Sequence, residues 1–337
     1  MTYTNILLLL AGLVLLLKGS DWLVKSASSF ARKLGVSEFV IGLTVVALGT
    51  SVPELFSAIM ASFKQESGLI LGNIIGANIA NLALVIGLTA MLTTLKTNRK
   101  MFLRDGYALI FTSLIFFVFL FDRDINRIEA AFMVILYGAY TLFLFDSKSG
   151  EKSTFKEFTR YFLEFRYFQS FLNNLNHTLK LKTKTILSLS KDALVGILSL
   201  ALVLLGAKLI VNQAVFFAEL LSVPQAAVGI FLAIGTTLPE LSVALMAIKT
   251  GYRNIAIGNA IGSCITNILF IVGISGLISP LAVSSYTVRF LAPAMVSTVL
   301  LFLWFLKNDW KISRIEGMIL LGLYLAFMVS VIIGIIR

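Results

Sequence analysis

Gly49-Thr50-Ser51-Val52-Pro53-Glu54-Leu55 returns 186 residues later as Gly235-Thr236-Thr237-Leu238-Pro239-Glu240-Leu241, and this recurrence decides the fold. Without a gap the same offset lays Gly72-Asn73-Ile74-Ile75-Gly76-Ala77-Asn78-Ile79-Ala80-Asn81 on Gly258-Asn259-Ala260-Ile261-Gly262-Ser263-Cys264-Ile265-Thr266-Asn267. Of the 39 positions from Gly49 to Gly87, 15 are identical to their partners, and chance matching of apolar residues does not preserve Gly, Asn, Pro and Glu together. Upstream the offset becomes 187, pairing Gly19, Ala27, Phe30 and Gly42 with Gly206, Ala214, Phe217 and Gly229.

The repeated segments sit in a chain whose apolar surface must face something other than water. Its 337 residues are 58% hydrophobic and 13% charged, with a mean hydropathy of +0.94, which places it in a bilayer. Spans of roughly 20 residues are predicted around Val14, Val46, Leu82, Phe111, Ile135, Leu204, Phe231, Leu269, Val296 and Tyr324, the first and sixth running long and tilted. The first apolar stretch, Ile6 to Leu17, lacks the flanks of a removable signal peptide and reads as a span. A net charge of +11 does not mark a nucleic-acid binder, because the charges punctuate the apolar stretches. Counted on alternate sides, the connections carry 21 Lys and Arg against 5, so the positive-inside rule places both termini outside and the 146–192 connection in the cytoplasm. The single Cys264 and the lone His177 leave no disulfide framework and no histidine cluster for zinc.

Five spans per copy is an odd number, so the second copy enters the membrane from the opposite side. The expected fold is an all-α integral membrane protein of ten transmembrane helices in two inverted five-helix repeats, 1–145 and 193–337, joined by a basic connector over 146–192. Inverted halves can exchange shapes and expose one midplane site to each side in turn, which is a transporter architecture.

Glu54 and Glu240 lie inside the second and seventh spans, where an unpaired carboxylate is expensive and needs a cation, a proton or a structural base. Pro53 and Pro239 lack a backbone donor and interrupt their helices, and non-helical backbone at this depth is tolerated only where it is buried in protein or lines a cavity. The break supplies oxygen: carbonyls near Ala47 and Thr50, the hydroxyls of Thr50 and Ser51 and the Glu54 carboxylate from one copy, with Ala233, Thr236, Thr237 and Glu240 from the other. An oxygen-only set selects hard cations such as calcium. The Gly-Asn motifs read either as a helix-packing face or, through Asn81 and Asn267, as amides that line an ion pathway and hydrogen-bond a glutamate.

With both motifs in place, the chain resembles the cation/calcium exchanger superfamily, specifically its prokaryotic sodium/calcium exchangers, over essentially the whole membrane portion. The resemblance implies short sliding movements of the first and sixth helices across a more fixed core, in a prokaryotic cell membrane. It implies that Glu54 and Glu240 take part in binding both calcium and sodium and that backbone oxygens at Thr50 and Thr236 assist calcium. Thr50, Ser51, Thr236, Thr237 and Ser263 would serve sodium, with Ala47 and Ala233 giving carbonyls to flanking sodium sites.

Three residues depart from the family pattern: Ala77 where serine is usual, Cys264 where asparagine is usual, and Asn267 where many relatives carry aspartate. Two carboxylates balance one calcium ion but not a full set of sodium ions, so a proton-coupled calcium or cation exchanger stands as the alternative to sodium coupling. Asparagine at both 81 and 267 argues against potassium co-transport. The expected ligands are calcium with sodium or protons, beside the lipid bilayer; no organic cofactor, nucleic acid or obligate protein partner is expected. No enzymatic centre is expected either, because acid proteolysis wants a paired aspartate dyad. The 146–192 connector, with Phe155, Phe158, Phe162, Phe165 and Phe168 at helical spacing, either lies on the anionic inner leaflet or is a solvated link. Asp21 faces two candidate partners, Lys208 at the matching place in the sixth span and Lys18 one turn away.

Overall fold

The computed structural model describes residues 2–34, 37–146, 154–170, 183–220, 235 and 237–336. In chain order these form α1 (Thr2–Leu34), α2 (Glu38–Thr50), α3 (Val52–Phe63), α4 (Ser67–Leu92), α5 (Arg99–Phe119), α6 (Arg127–Asp146), α7 (Phe155–Leu163), α8 (Thr183–Leu220), α9 (Leu238–Lys249), α10 (Arg253–Ile278), α11 (Thr287–Lys307) and α12 (Arg314–Ile336). Among the described residues eight helices are long and apolar enough to cross a membrane, and α2 with α3, bent by 47°, make a ninth crossing if counted as one. Of the seventh expected span, centred near Phe231, only the part that forms α9 lies within the described residues.

Local chemistry sets where these helices begin. The Ser37 hydroxyl accepts from the Val40 N–H at 3.2 Å to open α2, Asn98 does the same for Met101 at 2.9 Å to open α5, and Ser313 with Glu316 forms a reciprocal box at the start of α12. Each supplies an acceptor to a donor that the first helical turn leaves orphaned.

Burial separates a core from a periphery. In the most apolar stretches of α4 and α10, 78% of residues are buried, against 28% in α1 and 22% in α8. The two long helices α1 and α8 pack chiefly on each other along one side of this core. Their crossing is set by glycine: a Cβ on Gly19 would stand 3.0 Å from the Ser199 carbonyl oxygen and the Val203 nitrogen, and one on Gly206 would stand 2.7 Å from the Gly12 carbonyl oxygen and 2.5 Å from the Leu16 nitrogen. Gly12 and Leu16 lie 187 residues before Ser199 and Val203, as Gly19 lies before Gly206, so each contact has its mate at the repeat offset.

The same exchange holds in two short antiparallel ribbons. β1 (Leu95–Lys96) pairs with β4 (Lys311–Ile312), and β2 (Asp124–Ile125) pairs with β3 (Leu281–Ala282). Leu95 faces Ile312 and Ile125 faces Leu281, and the offsets of 186 and 187 carry Leu95 to Leu281 and Ile125 to Ile312. Each ribbon ties a connection of the first half to one of the second.

Two expectations are corrected. Asp21 pairs with neither Lys18 nor Lys208: it takes Lys25, one turn on, at 2.9 Å. The connector helix α7 is neither a free solvated link nor a helix resting on lipid by its whole aromatic stripe, because Phe158 is buried against Tyr140 and Phe143 and Phe155 packs on Phe111. Only Phe165 and Phe168 of the stripe remain exposed. A capping box between Thr154 and Glu157 starts α7, and the Tyr161 hydroxyl donates to Asp146 at 3.0 Å. Burial pushes that hydroxyl up to about 12, so it remains a donor at neutral pH. His177 lies outside the described residues.

A close helix approach lies within the repeated Gly-Asn motif. A Cβ on Gly258 would stand 2.5 Å from the Phe39 carbonyl oxygen, and one on Gly262 only 2.1 Å from that of Leu43, so glycine lets α10 lie against the backbone of α2. Gly262→Ala is expected to destabilise the protein by about 3 kcal/mol or more through overpacking against rigid backbone, whereas Gly322→Ala, with nothing within 4 Å of the new methyl, is expected to be neutral or mildly stabilising. Thermal melting of both variants in detergent checks the contrast.

Candidate cation-binding centre

Two interrupted helices build the centre. After α2 ends at Thr50, Ser51 leaves helical geometry at φ −83°, ψ 10°, and α3 begins anew with Pro53 in its first turn. The second copy repeats this: Thr237 sits at φ −92°, ψ 0°, and α9 opens with Pro239 in its first turn. A proline there costs nothing, because the first-turn N–H groups have no intrahelical partner. Glu54 and Glu240 therefore both occupy first turns, where the helix dipole favours a carboxylate.

Both glutamates are buried, Glu54 at 2% and Glu240 at 1% exposure. They lie close enough for their charges to interact, and the Glu240 carboxylate is also within electrostatic reach of the Thr50 and Ser51 hydroxyls of the other copy. Ala47, Thr50, Ser51, Asn81, Thr237, Ser263 and Asn267 are buried as well. Ala233 and Thr236 lie outside the described residues. The Ala47 carbonyl accepts the Ser51 N–H at 3.0 Å and the Thr50 hydroxyl at 3.3 Å.

The unpaired groups are informative. Buried side-chain oxygens without a hydrogen-bond partner include Glu54 Oε2, Glu240 Oε2, Ser51 Oγ, Ser263 Oγ, Asn81 Oδ1 and Asn267 Oδ1. Each such group costs about 1–3 kcal/mol when left dry and unpartnered, so six in the predicted set mark a place that something else must satisfy. No Lys or Arg among the described residues makes an ion pair with either glutamate. Asp105 shows what a structurally neutralised buried acid looks like in this molecule. Its oxygens receive the Arg104 guanidinium at 2.9 and 3.1 Å and the Tyr140 hydroxyl at 2.7 Å.

Two amides absent from the expected site hold it in shape. Asn259 Oδ1 stands 3.3 Å from the Thr50 hydroxyl, an alternative to the Ala47 carbonyl as acceptor for its single proton. Asn267 Nδ2 donates to Asn78 Oδ1 at 3.0 Å, and Asn78 Nδ2 donates to the Cys264 carbonyl at 3.3 Å. Cys264 in turn directs its thiol at the Asn78 carbonyl, 3.7 Å away, and Asn78 and Cys264 are themselves partners at the offset of 186. Their presence in the repeated Gly-Asn motif was the available signal, but a linear motif does not say which amide faces the centre and which braces it. Asn81 and Asn267 also sit within stretches of wider π-helical turns, Ala80–Val85 and Thr266–Val272, a geometry that recurs at functional sites.

One bracing contact has no counterpart. Ser242, two residues beyond Glu240, shares a 2.7 Å hydrogen bond with Ser20 of α1, and Ser20 donates to the Leu16 carbonyl at 2.8 Å. The offset partners of Ser242 and Ser20 are Phe56 and Ala207, which have no hydroxyl.

A helical membrane bundle with two acids amid unpaired oxygens at its centre is the build of a membrane cation transporter. A family profile described as sodium/calcium exchanger protein matches residues 4–145 and 191–333, and the chain belongs to that family; the family is one of exchangers, not enzymes. The chain is 46% identical over 345 residues to the sodium/calcium exchanger MaX1 of Methanosarcina acetivorans, covering 98% of this chain and 99% of that one. It is 33% identical to the putative antiporter CaxA of Alkalimonas amylolytica, over 94% and 95% of the two chains. A solved structure of the sodium-calcium exchanger NCX_Mj, soaked with zero Na+ and Ca2+, superposes with a TM-score of 0.80 at 28% identity, over 98% of this chain and 100% of that one. The unmatched stretch between the two profile segments holds most of the connector.

Asn78→Leu removes the acceptor of the buried Asn267 amide and leaves that donor unpartnered. A loss of about 1–3 kcal/mol is expected, read as a lowered melting temperature of the ion-free protein.

Proposed function

We propose that the chain exchanges sodium for calcium across the membrane, with both ions competing for one centre at Glu54 and Glu240. The observation that carries this reading is the cluster of unpaired buried oxygens around those two carboxylates, drawn from both copies of the motif. Calcium takes six to eight oxygen ligands, and two carboxylates balance its charge without help from a base. In this reading Thr50 and Thr236 add backbone oxygens for calcium. Thr50, Ser51, Thr236, Thr237 and Ser263 add oxygens for sodium, the Ala47 and Ala233 carbonyls flank them, and Asn81 and Asn267 line the path. The names of the MaX1 and NCX_Mj relatives support the same pair of ions.

Competition at a single centre makes an exchanger rather than two independent carriers. The proposed scaffold is ten transmembrane helices in two inverted five-helix halves, 1–145 and 193–337, with both termini outside and the 146–192 connector in the cytoplasm. Support comes from contacts that recur at the repeat offset: the Gly19 and Gly206 crossing, the two ribbons, and Asn78 against its own partner Cys264. Halves related in this way can trade conformations and so open the centre to one side and then the other. The buried Ala77, which offers no hydroxyl, and Asn267, which carries no charge, favour a second reading in which a proton replaces sodium.

Calcium-45 uptake into proteoliposomes loaded with sodium separates these readings. Sodium-driven uptake is expected, and either Glu54→Gln or Glu240→Gln is expected to lower it by about 10²-fold or more, the scale of removing one partner of a buried charge pair. Uptake driven by a proton gradient and indifferent to sodium would establish the second reading, and uptake untouched by either substitution would remove the glutamates from the centre.

A further inference from the structure

The two halves correspond in sequence but are not packed alike. α1 lies along α9, whereas its counterpart α8 makes little contact with α3, the counterpart of α9, among the described residues. Burial records the same difference at a single pair of positions. Ser242 of α9 is covered by α1 and is 4% exposed, while Phe56 of α3, its mate at the offset of 186, is 65% exposed. From the centre α9 runs to Lys249 and α3 runs to Lys64. The Lys249 end is therefore closed by a helix pair whose mates stand apart at the Lys64 end.

Halves that trade conformations must trade this contact as well. When α8 closes on α3, α1 leaves α9, and the bond between Ser20 and Ser242 is lost. Ser20 donates its single proton to the Leu16 carbonyl at 2.8 Å, which leaves its oxygen to accept from Ser242 at 2.7 Å. Both serines are buried, so no water competes for the bond while α1 and α9 stay together. The residues that meet in the exchanged arrangement are Ala207 and Phe56, and neither has a hydroxyl. A bond made in one arrangement and not replaced in the other shifts the balance between them.

We propose that Ser20 and Ser242 are positioning residues for ion exchange: their hydrogen bond latches α1 to α9 and sets the resting arrangement of the protein, with the Lys249 end closed. This rests on the inverted-repeat reading given above, in which that end is cytoplasmic, and goes beyond it. The repeat alone predicts two equivalent halves, and the latch makes them unequal.

Half-saturating calcium, measured separately on the two faces of proteoliposomes, tests the latch, because apparent affinity on a face scales with the fraction of molecules open to it. Ser20→Ala and Ser242→Ala are each expected to weaken calcium binding on the Lys64 face and strengthen it on the Lys249 face, changing the ratio of the two by about two- to tenfold. The double variant is expected to go no further than either single one, since both remove the same bond. A merely structural role would lower the amount of folded protein and leave the ratio alone. A second readout needs no transport. Phe56→Cys, probed from the Lys64 face with a membrane-impermeant maleimide against the buried native Cys264, is expected to label more slowly once Ser20→Ala is added. An unchanged or reversed ratio would overturn the proposal, as would additive effects of the two substitutions. If the wild type moves no calcium, the function proposed above fails and the labelling alone decides: equal rates with and without Ser20→Ala would remove the latch.

Discussion

Two buried carboxylates with no basic partner among the described residues are the constraint around which this molecule is arranged. A dry carboxylate is tolerable only if its charge is met, and the protein meets it partly by placing Glu54 and Glu240 in the first turns of α3 and α9. The helix breaks before each glutamate follow from this need, since an unbroken helix would have no N-terminus to offer there. In the proposed function the rest of that charge is met by an ion, with the unpaired oxygens nearby as its ligands. Asp105, fully paired with Arg104 and Tyr140 in the same bundle, shows that the chain neutralises an acid when the structure alone requires it.

Close packing keeps that centre in register. Gly258 and Gly262 bring α10 against the backbone of α2, so that Asn259 reaches Thr50 and the two copies of the motif share one hydrogen-bonded layer. The α1 and α8 pair meets the core over less of its surface, yet α1 is fastened to α9 through Ser20 and Ser242, close to Glu240. Because the offset partners of those serines lack hydroxyls, the two halves are not energetically equivalent even where their backbones correspond. A hydrogen bond of this kind contributes about 0.5–1.5 kcal/mol, enough to bias a two-state equilibrium several-fold.

The membrane-spanning character, the repeat, the break at each proline and the identity of the two acids were legible in the sequence, because each rests on a local property: hydropathy over a span, identity at a fixed offset, a missing N–H, a charge in an apolar run. The sequence also carried the resemblance to exchangers that the family match bears out. What it did not carry was orientation. Asn78 and Asn259 stood in a motif already in view, and only the packing of α4 against α10 and α2 decided that they brace the centre. Asp21 had two plausible bases and took a third, Lys25, since the geometry of one helical turn outweighs correspondence between distant halves. The phenylalanine stripe of α7 looked the same whether it faced lipid, water or protein, and the docking of Phe158 between Tyr140 and Phe143 settled it. Composition and spacing determine which residues must leave water; which of them meet one another is decided by long-range contacts that no local pattern encodes.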